Sequence, residues 1–308
     1  MMSYAVRRLL SIIPTLWLVM TVLFFLLRAV PGGPFDTERA LPPEIEKAQL
    51  AYYNLSAPVR DQYKDWLANV VLRQDLGPSF RHAGRTVNEI IRVSLPHSAQ
   101  LGFFAAILAL AVGVPLGVYA ATRHNRPADH AAMGAAMLGV SVPRFVLAPI
   151  LVLIFSLKLY LLPAARWETW RHMVLPVVCA GLPMAAYVAR LARAGMLEVI
   201  RSDFIRTARA KGLSERRVIL RHALRGALLP VVTYLGPGLS GLLIGSLVIE
   251  RIFNIPGMGR YLVEAAANRD YNLVMGVVLV YGVLVMVLNA VVDIAYKYLD
   301  PRVSLEQR

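Results

Sequence analysis

The sequence predicts an all-α polytopic membrane protein with six transmembrane helices, and three observations carry that prediction. Hydrophobic residues make up 57% of the 308 residues and charged residues only 17%, where a soluble domain carries roughly a quarter charged. The apolar residues fall in long blocks, not in the stripes of an amphipathic soluble fold, and the mean hydropathy is +0.55. The basic residues collect beside the ends of those blocks on one side.

A helix rises 1.5 Å per residue, so about 20 apolar residues cross a hydrocarbon core of about 30 Å. Six such blocks lie near 9–30, 99–121, 132–157, 174–192, 226–249 and 273–292. Arg7 and Arg8 precede the first block and no small-residue cleavage site follows it, so it reads as an uncleaved span. The third block belongs to a longer apolar stretch, 131–162, interrupted by Pro143-Arg144. Proline removes a backbone donor, and a kink or a short re-entrant break is expected there. The fourth block is short and holds Pro176, Gly181 and Pro183, which makes it the least promising as a straight helix. Gly113 and Gly117, and Gly241 and Gly245, are small residues four apart, a spacing that lets helices approach closely within one bundle or against a second subunit.

Orientation follows from charge. With the N-terminus inside, the segments 1–8, 122–130, 193–225 and 293–308 hold 16 Lys/Arg against 7 Asp/Glu, and the opposite side holds 13 against 12. The chain is therefore expected N-in and C-in. Topology thus accounts for most of the formal net charge of +14, and nucleic acid is not needed to explain it. Membrane lipid headgroups are partners enough for most of it.

The outer segment 31–98 is expected to be structured. Tyr63, Trp66, Leu67, Val70 and Val71 share one helical face. Thr86-Val87-Asn88-Glu89 spells a capping box followed by Val87, Ile90 and Ile91 on one side, predicting a short helix along the outer interface before the second span.

The longest inner segment, 193–225, predicts helix, glycine turn, helix. Ser202 is placed to cap a helix over 203–211, on which Phe204, Ile205 and Ala208 share a face and Arg206, Arg209 and Lys211 line the rest. Gly212 suits the left-handed position that ends a helix. Ser214 is placed to cap a second helix with Glu215 in its first turn and Arg217, Arg221 and Arg225 in one stripe. Lipid headgroups account for that stripe; the short capped helix has the shape of something that inserts into a groove of another protein.

Other chemistry is sparse. The single Cys179 allows no disulfide within the chain, and the six histidines form no metal-binding pattern. There is no G-x-x-x-x-G-K-[ST] loop, so any ATP must bind another chain. Arg28, Lys158, Arg190 and Asp293 lie in or near apolar blocks, and Arg28, Arg190 and Asp293 sit close enough to span ends to snorkel. Arg144 lies inside the broken third span, as a support for the break or as a lining of a substrate path. An ion-coupled carrier would need carboxylates or half-helix ends at mid-membrane, and no acidic residue lies centrally in any block.

Phe204-Ile205-Arg206-Thr207-Ala208-Arg209-Ala210-Lys211-Gly212-Leu213, followed by Arg221-His222-Ala223-Leu224 and Leu229-Pro230, resembles the cytoplasmic coupling motif of ABC importer permeases. The match is nearest to the oligopeptide/dipeptide permease branch. Pro31-Gly32-Gly33-Pro34-Phe35, Asp75-Leu76-Gly77-Pro78-Ser79-Phe80, Ile255-Pro256-Gly257-Met258-Gly259 and Asn268-Arg269-Asp270-Tyr271 resemble that branch in order and spacing. Pro42-Pro43 and Asp300-Pro301 are similar to its first, B-type, subunit. The resemblance implies a type I ABC importer permease fold in a bacterial inner membrane. It divides the chain into an N-terminal span (1–30), a periplasmic loop region (31–98), a transmembrane core (99–297) with its coupling loop 193–225, and a cytoplasmic tail (298–308). It further implies peptide uptake by alternating access, no catalysis and no cofactor on this chain, and ATP and magnesium on partners. Those partners would be a second homologous permease subunit, two cytoplasmic ATP-binding subunits and a periplasmic substrate-binding protein. The substrate class it leaves open spans oligopeptides, dipeptides, glutathione or murein peptides, and nickel.

Overall fold

The computed structural model describes residues 2–35 and 42–299; the Asp300-Pro301 tail lies outside them. The described residues form thirteen α-helices with three wider π-helical turns, and their only bridge pairing joins Pro78 to Thr86. The helices are α1 (Met2–Ala29), α2 (Pro43–Tyr52), α3 (Val59–Ala68), α4 (Val87–Thr122), α5 (Pro127–Ser141), α6 (Arg144–Leu151) and α7 (Trp170–Ile200). They continue as α8 (Asp203–Ala210), α9 (Glu215–Arg217), α10 (Leu224–Ala227), α11 (Leu229–Ile252), α12 (Met258–Ala267) and α13 (Tyr271–Leu299).

Five helices, α1, α4, α7, α11 and α13, are long and apolar enough to cross a membrane. The third block is a bent pair: α5, and α6 with its π-helical continuation to Lys158, meet at 103°, and count as a sixth span if taken as one. The bend lies where the sequence placed it. Val142 precedes a proline, which disfavours the α conformation, and it is extended at φ −84° and ψ 117°. Pro143 then starts α6 without needing a donor.

Two expectations fail here. The fourth block is not irregular: α7 runs unbroken for 31 residues through Pro176 and Pro183. It starts from a capping box in which the Thr169 N–H donates to His172 Nδ1 at 3.2 Å. Its neighbours enclose it, and packing holds the turns that each proline deprives of a hydrogen bond. Nor is the helix begun at Thr86 a separate interfacial piece, because α4 continues through the second span for 36 residues. The capping box itself is as read, with Thr86 N–H donating to Glu89 Oε2 at 3.1 Å and Glu89 N–H to Thr86 Oγ1 at 3.3 Å.

The chain forms two compact units. The first comprises Met1–His97 and Gly257–Leu284. Its core packs Tyr63 and Trp66 of α3 onto Met20 and Phe24 of α1, with the Phe24 and Tyr63 rings 5.1 Å apart. Val71, expected on the same face, is 64% exposed, because the π-helical turn Asn69–Arg73 shifts the register after Val70. A second focus is the buried carboxylate of Asp270. It accepts hydrogen bonds from the Ser79 hydroxyl and from the N–H groups of Phe80 (3.0 Å), Arg81 (3.3 Å) and Leu273 (3.2 Å). The Arg81 guanidinium donates to the carbonyls of Pro34 and Asn268. Segments 75–80 and 268–271, far apart in sequence, thus meet at one acid, and 31–35 joins them through Arg81.

The second unit comprises Ser98–Pro256 and Val285–Arg308, with α7 at its centre. Gly113 and Gly117 of α4 lie against it so closely that a Cβ would stand 2.5 Å from the Ala185 carbonyl oxygen and 2.3 Å from that of Ala189. The small-residue pair therefore serves packing inside the chain. Gly241 has nothing within 4 Å of such a Cβ.

Candidate functional site

The inner ends of α4, α7 and α11 carry the segment from Arg201 to Leu228. The α7 helix stops at Ile200, and Ser202 turns extended at φ −71° and ψ 154° to begin α8. Ser202 occupies the cap position, but its hydroxyl does not cap. It donates back to the Val199 carbonyl at 2.6 Å. Asp203, in the first turn, complements the positive end of the helix instead.

Eight residues make a marginal helix in water, so α8 depends on its buried side. Ile205 is fully buried and Ala208 nearly so, packed with Ala121, Met196, Val218, Ala223 and Ala227. Phe204, grouped with them on sequence, is 54% exposed. At 100° per residue it stands about 40° beyond Ala208 and about 100° from Ile205, at the edge of the buried face, where its ring projects outward. The opposite face presents Asp203, Arg206, Thr207 and Ala210, all exposed; Arg206 and Asp203 pair at 3.5 Å. Arg209 and Lys211 are also exposed.

The stop after α8 is a complete Schellman motif. Gly212 has φ +77°, its N–H donates to the Arg209 carbonyl at 2.9 Å, and the Leu213 N–H donates to that of Ala208 at 3.4 Å. Leu213 packs on the Ile205–Ala208 cluster, supplying the apolar contact such a motif carries. The Arg209 guanidinium then spans the turn to Glu215, with Nη2 at 2.6 Å and Nε at 3.1 Å from its two carboxylate oxygens. That bond holds the Glu215 carboxyl below its usual range.

The second expected helix is present only in pieces. Ser214 makes no side-chain cap, α9 lasts one turn, and the π-helical turn Val218–Ala223 follows before α10. The wider turn rotates the later residues, so Val218, Ala223 and Ala227 all face inward. Arg217, Arg221 and Arg225 stay exposed, with Leu220 among them at 53%.

One further feature of this unit was not singled out in the sequence. Asp129, in the first turn of α5, is buried, and Arg193 of α7 donates to both of its oxygens at 2.7 Å. The His124 Nδ1 lies 3.6 Å from the same carboxylate. An acid in an otherwise basic inner loop was the available signal. Arg144, which the sequence did offer as a path residue or a support for the break, is half-buried at the bend, where its Nη1 reaches the Gly241 carbonyl at 3.5 Å.

Residues 113–305 match the family described as "Binding-protein-dependent transport system inner membrane component". That is more than half of the chain, and it includes α8 and Gly212. The chain belongs to this family. It is 46% identical over 305 residues to the oligopeptide transport system permease protein OppB of Haemophilus influenzae, covering 98% of this chain and 99% of that one. It is 42% identical over 308 residues to the dipeptide transport system permease protein DppB of Bacillus subtilis, over the full length of both. Among solved structures, the MetNI methionine ABC transporter in an inward-facing conformation aligns with a TM-score of 0.58 at 16% identity, covering 69% of this chain and 97% of that one. That likeness bears on the fold. As a member of this family the chain is a permease subunit of an inner-membrane ABC importer, which works with separate ATP-hydrolysing and solute-binding partners.

Proposed function

We propose that this subunit imports peptides, with oligopeptides the first choice, by alternating access, and that α8 with Gly212 is the handle by which a cytoplasmic ATPase moves it. The substrate reading rests on the near full-length relatives, which are oligopeptide and dipeptide transport permeases. Dipeptides are the second reading because the Bacillus subtilis relative is aligned from end to end. A second homologous permease subunit completes the pathway, a pair of ATP-binding subunits holds ATP and magnesium, and an external binding protein delivers the solute. Arg144 lines the path.

One observation carries the coupling reading: α8 is anchored and presented at once. Ile205, Ala208 and Leu213 fix one side to the subunit, and Asp203, Arg206, Thr207 and Ala210 leave the other side free for a groove. Force applied to the free side reaches α7 and α10 through that cluster. The positive-inside rule puts this segment in the cytoplasm, where ATP is.

The test is co-purification of the subunit with its ATPase and peptide uptake in vesicles, with Ala210→Trp as the perturbation. Ala210 is exposed and supports no packing, so the subunit should fold while the ATPase is lost and uptake stops. Uptake without any ATPase, or undiminished uptake by the variant, would refute the coupling role.

A further inference from the structure

Arg144, Tyr187, Arg190 and Tyr234, drawn from α6, α7 and α11, form one strip in the second unit. The Tyr187 and Tyr234 rings stack with centroids 4.5 Å apart and planes at 24°. The Arg190 guanidinium lies over Tyr187, 4.8 Å from its centroid. Arg144 joins the same two helices through its bonds to Gly241 of α11 and Cys179 of α7. The Tyr234 ring is fixed from behind: a Cβ on Gly238 would stand 2.9 Å from it and 3.0 Å from the Met184 methyl.

The strip follows α7 and α11. Arg144 bonds to Gly241, halfway along α11, and its carbonyl accepts a weak bond from Cys179 at 3.5 Å. Arg190 lies eleven residues beyond Cys179 on α7, a rise of roughly 16 Å along that helix at 1.5 Å per residue. Neither guanidinium meets a carboxylate among the described residues. Arg190 and Tyr187 are nevertheless exposed on the chain. A cation without a counter-ion does not face hydrocarbon; it faces water or an anion that passes. Guanidinium groups present a planar fork that fits a carboxylate.

We propose that Arg144 and Arg190, together with the Tyr187–Tyr234 stack, form a two-station relay for the terminal carboxylate of the transported peptide. This deepens the peptide-import reading and rests on it. The carboxylate is the one anionic group that every free peptide shares, whatever its side chains. Two stations with no acid of their own bind it well enough to admit it and loosely enough to release it. The tyrosine faces accept side chains without selecting among them.

The experiment uses the complete transporter in vesicles with binding protein saturated by one of two ligands, a tripeptide or the same tripeptide with its C-terminus amidated. Uptake is measured per loaded binding protein for the natural subunit, Arg144→Gln and Arg190→Gln. The natural subunit should move the free acid about tenfold faster than the amide, the worth of a lost charge-assisted bond. Each variant should bring the two within about twofold. The Arg190 side chain is exposed, so that variant keeps the test valid should Arg144→Gln not assemble. Variants that retain the natural preference or slow both ligands equally overturn the relay, as does a natural subunit without preference. A natural subunit that imports neither ligand overturns the peptide reading instead.

Discussion

Arg193 closes a bidentate ion pair on the buried carboxylate of Asp129, with both N···O distances at 2.7 Å. The pair joins α5 to α7 two turns before α7 gives way to α8. The carboxylate also caps the turn before α5 by accepting the Asn125 N–H at 3.0 Å. A buried charge keeps its place only while its partner remains. Replacing Arg193 with Met should therefore destabilise the subunit by about 3 kcal/mol, since it strands Asp129. Adding Asp129→Leu to that variant should restore most of the loss. Thermal unfolding of the purified subunit checks both, and equal losses from the single and double variants would contradict the pairing.

Gly212 tests a purely conformational requirement. A Cβ there meets nothing within 4 Å, so only the φ of +77° resists a side chain. Gly212→Val should cost about 1–2 kcal/mol in the left-handed region and uncouple uptake from ATP hydrolysis. Gly212→Asn, which tolerates that region, should keep most of the uptake. The measurement is peptide moved per ATP hydrolysed.

The Arg209–Glu215 bridge sets a pH window for the same turn. Its depressed carboxyl contributes in full above the ordinary glutamate range and is lost as pH falls through the lowered value. The turn should then be indifferent to pH at neutrality and loosen only in acid. Glu215→Gln should remove the bridge at every pH. Carbon NMR of labelled glutamate should place the Glu215 titration below that of an unpaired glutamate, and coincidence with the unpaired value would refute the bridge. Both groups are largely exposed, so the effect on stability is small.

Two glycines should respond in opposite ways. Gly117→Val forces α4 off α7, because its Cβ has only 2.3 Å to the Ala189 carbonyl oxygen. The expected cost is about 3 kcal/mol or more, the upper range of overpacking. Gly134 of α5 is exposed with nothing near, so Gly134→Ala should stabilise the subunit by roughly 0.5–1 kcal/mol. Thermal stability of the two variants side by side checks the contrast.

The sequence by itself determined what depends on neighbours in the chain. Hydropathy placed the spans, Pro143 placed the bend through its effect on Val142, and Gly212 announced a positive φ. Thr86 and Glu89 announced their box from a separation of three. Local backbone chemistry decides such features, and it is written in adjacent letters. The sequence misled where a local rule met packing: Pro176 and Pro183 did not break α7, and Ser202 did not cap α8. The π-helical turns moved Val71 out of its expected face and carried Val218, Ala223 and Ala227 inward together.

Only the tertiary structure decided which distant residues meet. Asp129 finds Arg193 across 64 residues, and Asp270 finds Ser79 across 191. Composition gives no register between helices, because many pairings bury the same apolar area. The choice among them is made by steric fit, at Gly113 and Gly117, and by the need of each buried charge for a partner. The same packing split Phe204 from Ile205 and Ala208, and so fixed which side of the coupling helix is held and which is free.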